Sequence, residues 1–404
     1  MAVGLKQPGK LLPVLGVRLS ATHSGIKSNL DITDLVLVEI SDSANLSATF
    51  TTNKFCAAPV TVAKEHLAKQ TSIRYLLINS GNANAGTGEQ GYVDAIACCQ
   101  AVAERAPSLS VDKVLPFSTG VIAAKLPADQ ICKSIPRLFD SLDEDKWLEA
   151  AQGIMTTDTF PKAISEQVIV SGETVTITGI TKGSGMIKPD MATMLAYVAT
   201  DAKIEKSLLD ALIKKAVACS FNSITVDGDT STNDACILIA TGQANVEINS
   251  ESSHFIEALI RVFKYLAQSI IRDAEGATKF VEIEVKNALT IDDAKEVGYT
   301  VAHSPLVKTA LFASDANWGR ILAAVGRAKI EALDVSCVDL YLGGTCLVKK
   351  GIPDGEYREA LGQLEMSKEE IKITVDLNQG QCNASIWTSD LSYDYVKINA
   401  EYRS

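Results

Sequence analysis

Apolar and polar positions recur along this chain with two spacings, one typical of helices and one typical of strands. Apolar side chains at helical spacing run through residues 208–217 and 255–266, which predicts two amphipathic helices. Strict alternation at residues 280–285 and 371–377 predicts strands with one buried face. An apolar run at residues 75–78 and a helical pattern at residues 92–105 add a strand and a helix. Strands interleaved with helices predict an α/β or α+β protein.

The length and net charge of the chain indicate its domain organisation and the kind of partner it binds. At 404 residues the chain exceeds the size at which one hydrophobic core stops growing, so we expect two lobes or one layered domain. With 49 acidic and 38 basic residues the net charge is -11, which disfavours nucleic acid and anionic membranes as partners. Small-molecule chemistry is therefore the better expectation.

Cysteine usage and hydropathy predict the compartment. The nine cysteines include no C-x-x-C pair, which favours reduced thiols, and the adjacent Cys98 and Cys99 lie in an apolar stretch typical of a core. No secretion signal is recognisable, and no run of about 18 apolar residues predicts a membrane span. We expect a cytoplasmic protein without a membrane partner.

One segment, residues 182–195 with the sequence KGSGMIKPDMATML, indicates chemistry. Its two glycines and its proline predict a constrained turn just before Ala192 and Thr193. If the Thr193 hydroxyl attacks the Ala192 carbonyl carbon, an ester forms, and water then releases a new N-terminal threonine. The α-amino group of such a threonine titrates near about 7.7 to 8.0 and accepts the hydroxyl proton, so no histidine is needed. By composition alone, a glycine-rich loop entering a core strand is the favoured interpretation.

The same fourteen residues resemble the self-cleavage motif of the ArgJ family, the ornithine acetyltransferases, also called glutamate N-acetyltransferases. Further matching blocks are GIK at 25–27, AAPV at 57–60 and NSGNANAG at 79–86, and the resemblance extends to the last residue. It implies a layered α/β/β/α sandwich of the DmpA/ArgJ type, cleaved into an α chain (1–192) and a β chain (193–404). It also implies transfer of the acetyl group of N2-acetyl-L-ornithine to L-glutamate through acetyl-Thr193.

The resemblance assigns roles to single residues. PFSTGVI at 116–122 matches the family block whose Thr-Gly pair lines the oxyanion hole, although Ala123 stands where the family usually has glycine. TTDTFPK at 156–162 and DAEGATK at 273–279 match substrate-binding blocks, and residues 393–404 match the segment that closes the site. The implied oxyanion residues are Thr119 and Gly120, and the implied substrate-binding residues are Thr156, Lys182, Thr193, Glu275, Asn399 and Ser404.

The resemblance also implies partners. We expect small-molecule substrates, two α and two β chains in one assembly, and no cofactor or metal, with acetyl-CoA left open as a second acetyl donor. The aromatic and apolar residues of 393–404 predict a docked strand.

Other interpretations stay open at this point. Without the resemblance, ordinary polar turns are favoured for the blocks around Thr119 and Thr156, and a helix-ending turn is an equal interpretation for the block around Glu275. Residues 79–91 lack the spacing of a phosphate-binding loop, and residues 222–230 lack that of a calcium loop, so a hydrogen-bonded turn is favoured for the latter. For the whole chain, the alternatives are an N-terminal-nucleophile aminopeptidase or amidohydrolase and an uncleaved, non-catalytic binding protein.

Overall fold

The computed structural model describes residues 2–69, 72–106, 109–188 and 194–401. Its helices are α1 (Ala58–Lys69), α2 (Gly88–Ala103), α3 (Ala128–Asp140), α4 (Trp147–Gly153), α5 (Lys206–Ala218), α6 (Ser253–Arg272), α7 (Ile291–Ala302), α8 (Pro305–Phe312), α9 (Trp318–Val325), α10 (Glu359–Met366) and α11 (Tyr393–Ala400). The helices predicted at 92–105, 208–217 and 255–266 are confirmed as α2, α5 and α6.

The strands of the described residues include the three that the sequence correctly predicted. They are β1 (Val17–Thr22), β2 (Leu35–Ile40), β3 (Asn45–Phe50), β4 (Tyr75–Asn82), β5 (Val114–Val121), β6 (Lys162–Val170), β7 (Glu173–Lys182), β8 (Leu195–Thr200), β9 (Lys203–Ile204), β10 (Ile224–Thr225), β11 (Ala235–Ala240), β12 (Glu247–Ile248), β13 (Phe280–Ala288), β14 (Asp339–Leu342), β15 (Thr345–Lys349), β16 (Ile352–Pro353), β17 (Glu370–Asp376) and β18 (Cys382–Ser389). The predicted strands at 75–78, 280–285 and 371–377 are confirmed as parts of β4, β13 and β17.

Two sheets pack face to face in the first half of the fold. One has the order β1-β2-β4-β5 and the other the order β3-β11-β8-β7-β6. Alternate residues of each strand point into the layer between them: Val36 and Val38 from β2 share one buried cluster with Leu195 and Tyr197 from β8. This is the packing expected of two sheets whose inner faces are apolar.

Helices cover the outer face of each sheet. The other face of the first sheet packs against α1, α2 and α3, with Cys98 and Cys99 buried in that cluster as the sequence predicted. The outer face of the second sheet packs against α5 and α6. The layers therefore run helix, sheet, sheet, helix, and the predicted α/β/β/α sandwich is confirmed.

A third sheet, which the sequence analysis did not predict, completes the fold. Its order is β10-β18-β13-β17-β14-β15-β16, and its core includes side chains of α7, α8 and α9. Strand β13 lies in the interior of the sheet, parallel to β17 and antiparallel to β18. Apart from β10, its strands begin directly after the loop that carries Glu275 and end directly before the loop that leads into α11.

The second sheet joins the two halves that self-cleavage would separate. Strands β3, β6 and β7 belong to residues 1–192, whereas β8 and β11 belong to residues 193–404. Strands β7 and β8 are antiparallel neighbours, with Lys182 opposite Leu195. A break between residues 192 and 193 would leave this hydrogen-bonded sheet intact, because the two chains would be held by the ladder rather than by the connecting peptide.

The C-terminal segment corrects one prediction. The docked strand predicted for residues 393–404 is wrong, because residues 393–400 form α11. The Ser392 hydroxyl accepts a hydrogen bond from Tyr395 N at 3.2 Å, which is the side-chain cap that starts a helix. Aromatic residues in a short segment favour a strand by propensity, but here the cap and the docking surface decide.

The helices were also compared with the dimensions of a lipid bilayer. In the described part of the chain, every helix is too short or too polar to cross a membrane.

Candidate active site

A cavity of about 270 Å³ opens where the two packed sheets end. It brings together six of the residues that the sequence predicted for the site: Thr119, Gly120, Thr156, Lys182, Glu275 and Asn399. Met194 and Leu195, which follow the predicted cleavage site, also line it, together with Ala83, Ile122, Thr157, Gly185, Met186, Ser231, Thr232, Asn233 and Asp234. Residues far apart in sequence thus converge on one concave surface, as a binding site requires.

Thr119 and Gly120 occupy the carboxyl end of β5. Strand β5 runs parallel to β4, and the register is irregular at Gly81 and Asn82, opposite Gly120. Gly120 has φ +131°, and a Cβ placed on it would lie 2.3 Å from the carbonyl carbon of Gly81. A side chain is therefore excluded at this position by the close approach of the neighbouring strand.

Ala123, where the resembled family usually has glycine, follows in the turn after β5. Its φ is +61°, the left-handed region that glycine enters without strain. The turn therefore keeps the conformation that glycine would favour, and its N–H donates to the Ala85 carbonyl at 2.8 Å.

Lys182 connects two of the threonines that line the cavity. Its Nζ donates to Thr156 Oγ1 at 2.8 Å and to Thr119 Oγ1 at 3.3 Å. The side chain is buried, and burial lowers its pKa, although Asp158, Asp234 and Glu275 act in the opposite direction. A lysine held this way is a directed donor at the end of β7, unlike the solvated surface lysine that composition alone favours.

A buried ion-pair cluster lies behind this wall. Lys162 Nζ is 2.6 Å from Asp158 Oδ1 and 2.6 Å from Asp273 Oδ2, and its side chain is fully buried. Burial opposes ionisation of Asp158, but Lys162 and Lys182 more than offset it, so its pKa lies well below the ordinary range. Asp158 also accepts hydrogen bonds from Gly183 N at 2.8 Å and Thr156 N at 3.0 Å. One carboxylate thus fixes the backbone on both sides of the Lys182 contact.

Glu275 lies on the loop after α6, at the opposite wall. Its backbone N–H donates to the Ser184 carbonyl at 3.1 Å, and its Oε2 accepts from Asn399 Nδ2 at 2.8 Å. A Cβ on Gly185 would lie 2.3 Å from Glu275 Oε2, so the second glycine of the 182–195 segment makes room for this carboxylate. The contact also docks α11 on the cavity.

Asp227 fixes the beginning of the predicted cleavage loop. Its carboxylate accepts from Met186 N at 2.7 Å and Ile187 N at 2.9 Å, and Tyr395 Oη of α11 lies at 3.2 Å. Met186 has φ +55°, a strained conformation that these contacts hold in place. Within residues 222–230, for which the sequence favoured a solvated or hydrogen-bonded turn, residues 224–225 form β10, and after it Asp229 N donates to Asp227 Oδ1 at 3.2 Å.

Three residues of the site were missed in the sequence. Asp158 lies in the block TTDTFPK, two positions after Thr156, the residue to which the resemblance assigned a role. Asn233 donates from Nδ2 to the Ala83 carbonyl at 2.6 Å and to the Ser118 carbonyl at 2.9 Å, and Asp234 follows it. A polar pair directly before the wholly apolar strand β11 was the signal that could have revealed the last two.

The remaining predicted residues lie outside the described ranges. These are Ala192 and Thr193 at the predicted cleavage site and Ser404 at the C-terminus. Within residues 2–69, 72–106, 109–188 and 194–401, no three His, Cys, Asp or Glu side chains are grouped so as to hold a metal ion.

Comparison with known proteins identifies relatives that belong to one family. The model of the ArgJ family matches residues 18–404. The arginine biosynthesis bifunctional proteins ArgJ of Colwellia psychrerythraea and Methylococcus capsulatus are 50% and 51% identical, with 98% of this chain and 98% and 97% of theirs covered. Among solved structures, the ArgJ protein of Bacillus halodurans is 38% identical, covers 50% of this chain and 96% of its own, and has a TM-score of 0.48. Mycobacterium tuberculosis ornithine acetyltransferase, solved with ornithine, is 30% identical, covers 47% of this chain and 97% of its own, and has a TM-score of 0.39.

Proposed function

This chain belongs to the ArgJ family of acetyl-transferring enzymes of arginine biosynthesis, and on that premise we propose how it carries out the reaction. The chain cuts itself between Ala192 and Thr193. The freed Thr193 takes the acetyl group from N2-acetyl-L-ornithine and passes it to L-glutamate. Both substrates are small molecules that use the same cavity in turn.

The observation that carries this proposal is the convergence of six predicted residues on one cavity. Thr119 and Gly120 come from the end of β5, Lys182 from the end of β7, and Glu275 and Asn399 from a loop and a helix more than 90 residues later. Met194, which follows the proposed nucleophile in the sequence, lines the same cavity. Nucleophile, oxyanion donors and substrate contacts are thereby assigned to a common site.

The first half-reaction uses the α-amino group of Thr193 as base. That amine accepts the hydroxyl proton as the Thr193 oxygen attacks the acetyl carbonyl carbon, and Thr119 and Gly120 stabilise the negative charge on the carbonyl oxygen. The bond from the acetyl carbon to the ornithine nitrogen then breaks, and the amine returns the proton to that nitrogen. Glutamate attacks the acetyl-threonine ester in the second half-reaction by the same steps in reverse.

The chain itself supplies every group that these steps need. No cofactor or metal ion is part of the proposed mechanism. After cleavage the α and β chains remain paired through β7 and β8, and we assign two of each to a cytoplasmic heterotetramer.

Steady-state kinetics test the transfer reaction. We expect acetylornithine and glutamate to give parallel double-reciprocal lines, because the acetyl-enzyme forms before glutamate binds. Intersecting lines would contradict the shared nucleophile. Release of acetate in place of acetylglutamate would instead support the hydrolase alternative.

A separate assay with acetyl-CoA as sole donor tests whether the chain is bifunctional. Glutamate acetylation in that assay would support acetyl-CoA as a second acetyl donor. A zero rate would exclude acetyl-CoA as a donor and would leave the proposed ornithine reaction unaffected. Both assays use the same purified enzyme.

Thr119→Val is expected to lower kcat by about 10²- to 10³-fold with little change in KM, the typical effect of losing one oxyanion donor. The substitution removes the hydroxyl and keeps the shape. Thr49→Val is the matched control, because the Thr49 hydroxyl is buried without a hydrogen-bond partner among the described residues. Equal losses in both variants would contradict a specific role for Thr119.

Glu275→Gln is expected to raise KM for acetylornithine by roughly 10- to 100-fold, the cost of losing one charge-assisted hydrogen bond. The variant keeps an oxygen for Asn399 Nδ2 but loses the charge that attracts the ornithine ammonium. KM for glutamate, which brings no side-chain ammonium, should not rise. An equal rise for both substrates would contradict the proposed contact.

A further inference from the structure

Asn233 is a buried amide on the cavity wall that has no role in the mechanism proposed above. It is 6% exposed and lies two positions before β11. Its Nδ2 donates to the Ala83 carbonyl at 2.6 Å and to the Ser118 carbonyl at 2.9 Å. Both partners are carbonyl oxygens, which only accept hydrogen bonds, so the amide nitrogen is the atom that faces them. One side chain thus joins the segment after β4 to strand β5.

The amide of Asn233 is held in one orientation by its own loop. Its Oδ1 accepts from the Thr232 hydroxyl at 2.6 Å, and Asn233 N donates to Ser231 Oγ at 3.1 Å. The Thr232 carbonyl accepts from Ala57 N at 2.9 Å, which ties this loop to the residue before α1. A rotation of the side chain would break both bonds from Nδ2 and the bond to Oδ1 together, so the group is rigid.

The bonds from this amide reach the end of β5 that carries the proposed oxyanion pair, Thr119 and Gly120. The Ser118 carbonyl and the Thr119 N–H belong to one planar trans peptide group, so a bond that fixes the carbonyl also fixes the N–H. On the other side of the pair, the Val121 carbonyl accepts from Ala83 N at 2.9 Å, and the Ala83 carbonyl accepts from the amide. The backbone is therefore held both before and after the pair.

The pairing of β4 with β5 does not supply this support by itself. The register between the two strands is irregular at Gly81 and Asn82, opposite Gly120. Strand β5 is also the last strand in the order of its sheet. An edge strand with an interrupted ladder needs hydrogen bonds from another segment to keep one conformation, and Asn233 provides them.

We propose that Asn233 is a positioning residue of the transfer reaction, which acts by holding Thr119 and Gly120 in the orientation that stabilises the oxyanion. The inference rests on the proposed function, because it requires these two residues to form the oxyanion hole. Asn233 belongs to the β chain that cleavage would produce, whereas Ser118 and Ala83 belong to the α chain. A β-chain side chain therefore holds the α-chain donors, and both chains contribute to one oxyanion hole.

Asn233→Leu removes both donated bonds at a similar side-chain size. We expect kcat per cleaved chain to fall about 10²-fold, as for other small misplacements of groups that act on the reacting atoms. KM for both substrates should stay nearly unchanged, because the negative charge develops only after the acetyl carbon is attacked. Asn45→Leu is the matched control and should keep the wild-type kcat. The Asn45 Nδ2 donates to the Ile204 carbonyl at 2.8 Å, beside Ala240 at the opposite end of β11.

A double variant gives a readout that a merely structural role would not produce. If Asn233 acts through Thr119, the combined loss of kcat in Asn233→Leu with Thr119→Val should be much smaller than the product of the two single losses, since a hydroxyl that is absent cannot be misplaced. A general loss of folded enzyme would multiply with the effect of Thr119→Val. Losses that multiply therefore overturn the proposal, and so does a wild-type kcat in Asn233→Leu.

Thr232→Val decides the question if Asn233→Leu gives no folded, cleaved enzyme. It removes only the bond to Asn233 Oδ1 and should lower kcat about 10-fold, the equivalent of one neutral hydrogen bond, with the same non-additivity toward Thr119→Val. A wild-type kcat in this variant would then overturn the proposal. A wild-type enzyme that transfers no acetyl group, or a Thr119→Val variant with full kcat, overturns the proposed function instead.

Discussion

Replacing Thr193 with alanine is expected to leave one full-length chain of 43.1 kDa and no acetyl transfer above background. Without the hydroxyl, the Ala192 carbonyl carbon has no neighbouring nucleophile, so the ester cannot form. The same change removes the oxygen that carries the acetyl group. We expect turnover to fall on the order of 10⁶-fold, as when other enzymes lose their nucleophile.

Thr193→Ser is the control for this experiment. Serine keeps the hydroxyl and, after cleavage, an α-amino group, so the chain should still divide into residues 1–192 and the remaining 212 (404 minus 192) and retain part of its activity. Mass spectrometry of both variants identifies the new terminus. Two chains from Thr193→Ala, divided at the same bond, would place the nucleophile elsewhere.

Replacing Lys162 with methionine is expected to lower the free energy of unfolding by about 3 to 5 kcal/mol, the typical cost of removing one partner from a buried ion pair. Methionine fills much of the same space but leaves the carboxylates of Asp158 and Asp273 without their shared cation. Because Asp158 also holds Thr156 N and Gly183 N, the loss should extend to the position of Lys182 and lower activity. Urea unfolding and the transfer assay measure the two effects.

Lys146→Met is the matched control for the ion-pair prediction. Lys146 pairs with Glu149 at 2.9 Å, but the two side chains are 41% and 45% exposed. Such a pair contributes about 1 kcal/mol or less. A similar loss of unfolding free energy in both variants would contradict a larger contribution from the buried ion-pair cluster.

The pH dependence of the cluster follows from the lowered pKa of Asp158. Its stabilisation is present above the pKa of an unfolded aspartate and is lost as the pH falls toward the lower folded value. Wild-type stability should therefore decline in acid more steeply than that of Lys162→Met, in which the cation responsible for much of the lowered pKa is gone.

Much of the local structure was readable from the chain because it depends on periodicity. The apolar spacing of α6 and the alternation of β13 indicate which face of each element is buried. This pattern does not depend on how the other helices and strands are arranged. The resemblance of residues 182–195 to the family motif also assigned Lys182, although its burial and its two threonine partners are invisible in sequence. The helix at α11 shows where local propensity misleads, since Ser392 and the docking of Asn399 on Glu275 outweigh the aromatic residues.

The residues of the site could be assigned from the sequence only by resemblance, because Thr119 and Asn399, which line the same cavity, are more than 250 positions apart in the chain. Asp158, Asp227 and Asp234 look like surface carboxylates in the sequence. In the structure, Asp158 and Asp234 are buried, and Asp227 holds two backbone N–H groups of the loop before the cleavage site.

The sequence by itself determined the class of fold, three of the helices and three of the strands, and the segment in which cleavage is proposed, since each of these depends on neighbouring residues. Only the tertiary structure decided which carboxylates lose their solvent and which polar groups they face. The pKa of an acid depends on the charges and the dielectric around it, and these are set by residues distant in the chain. For that reason the pKa of Asp158 is lowered and that of Asp234 is raised, although nothing in their local sequence distinguishes them.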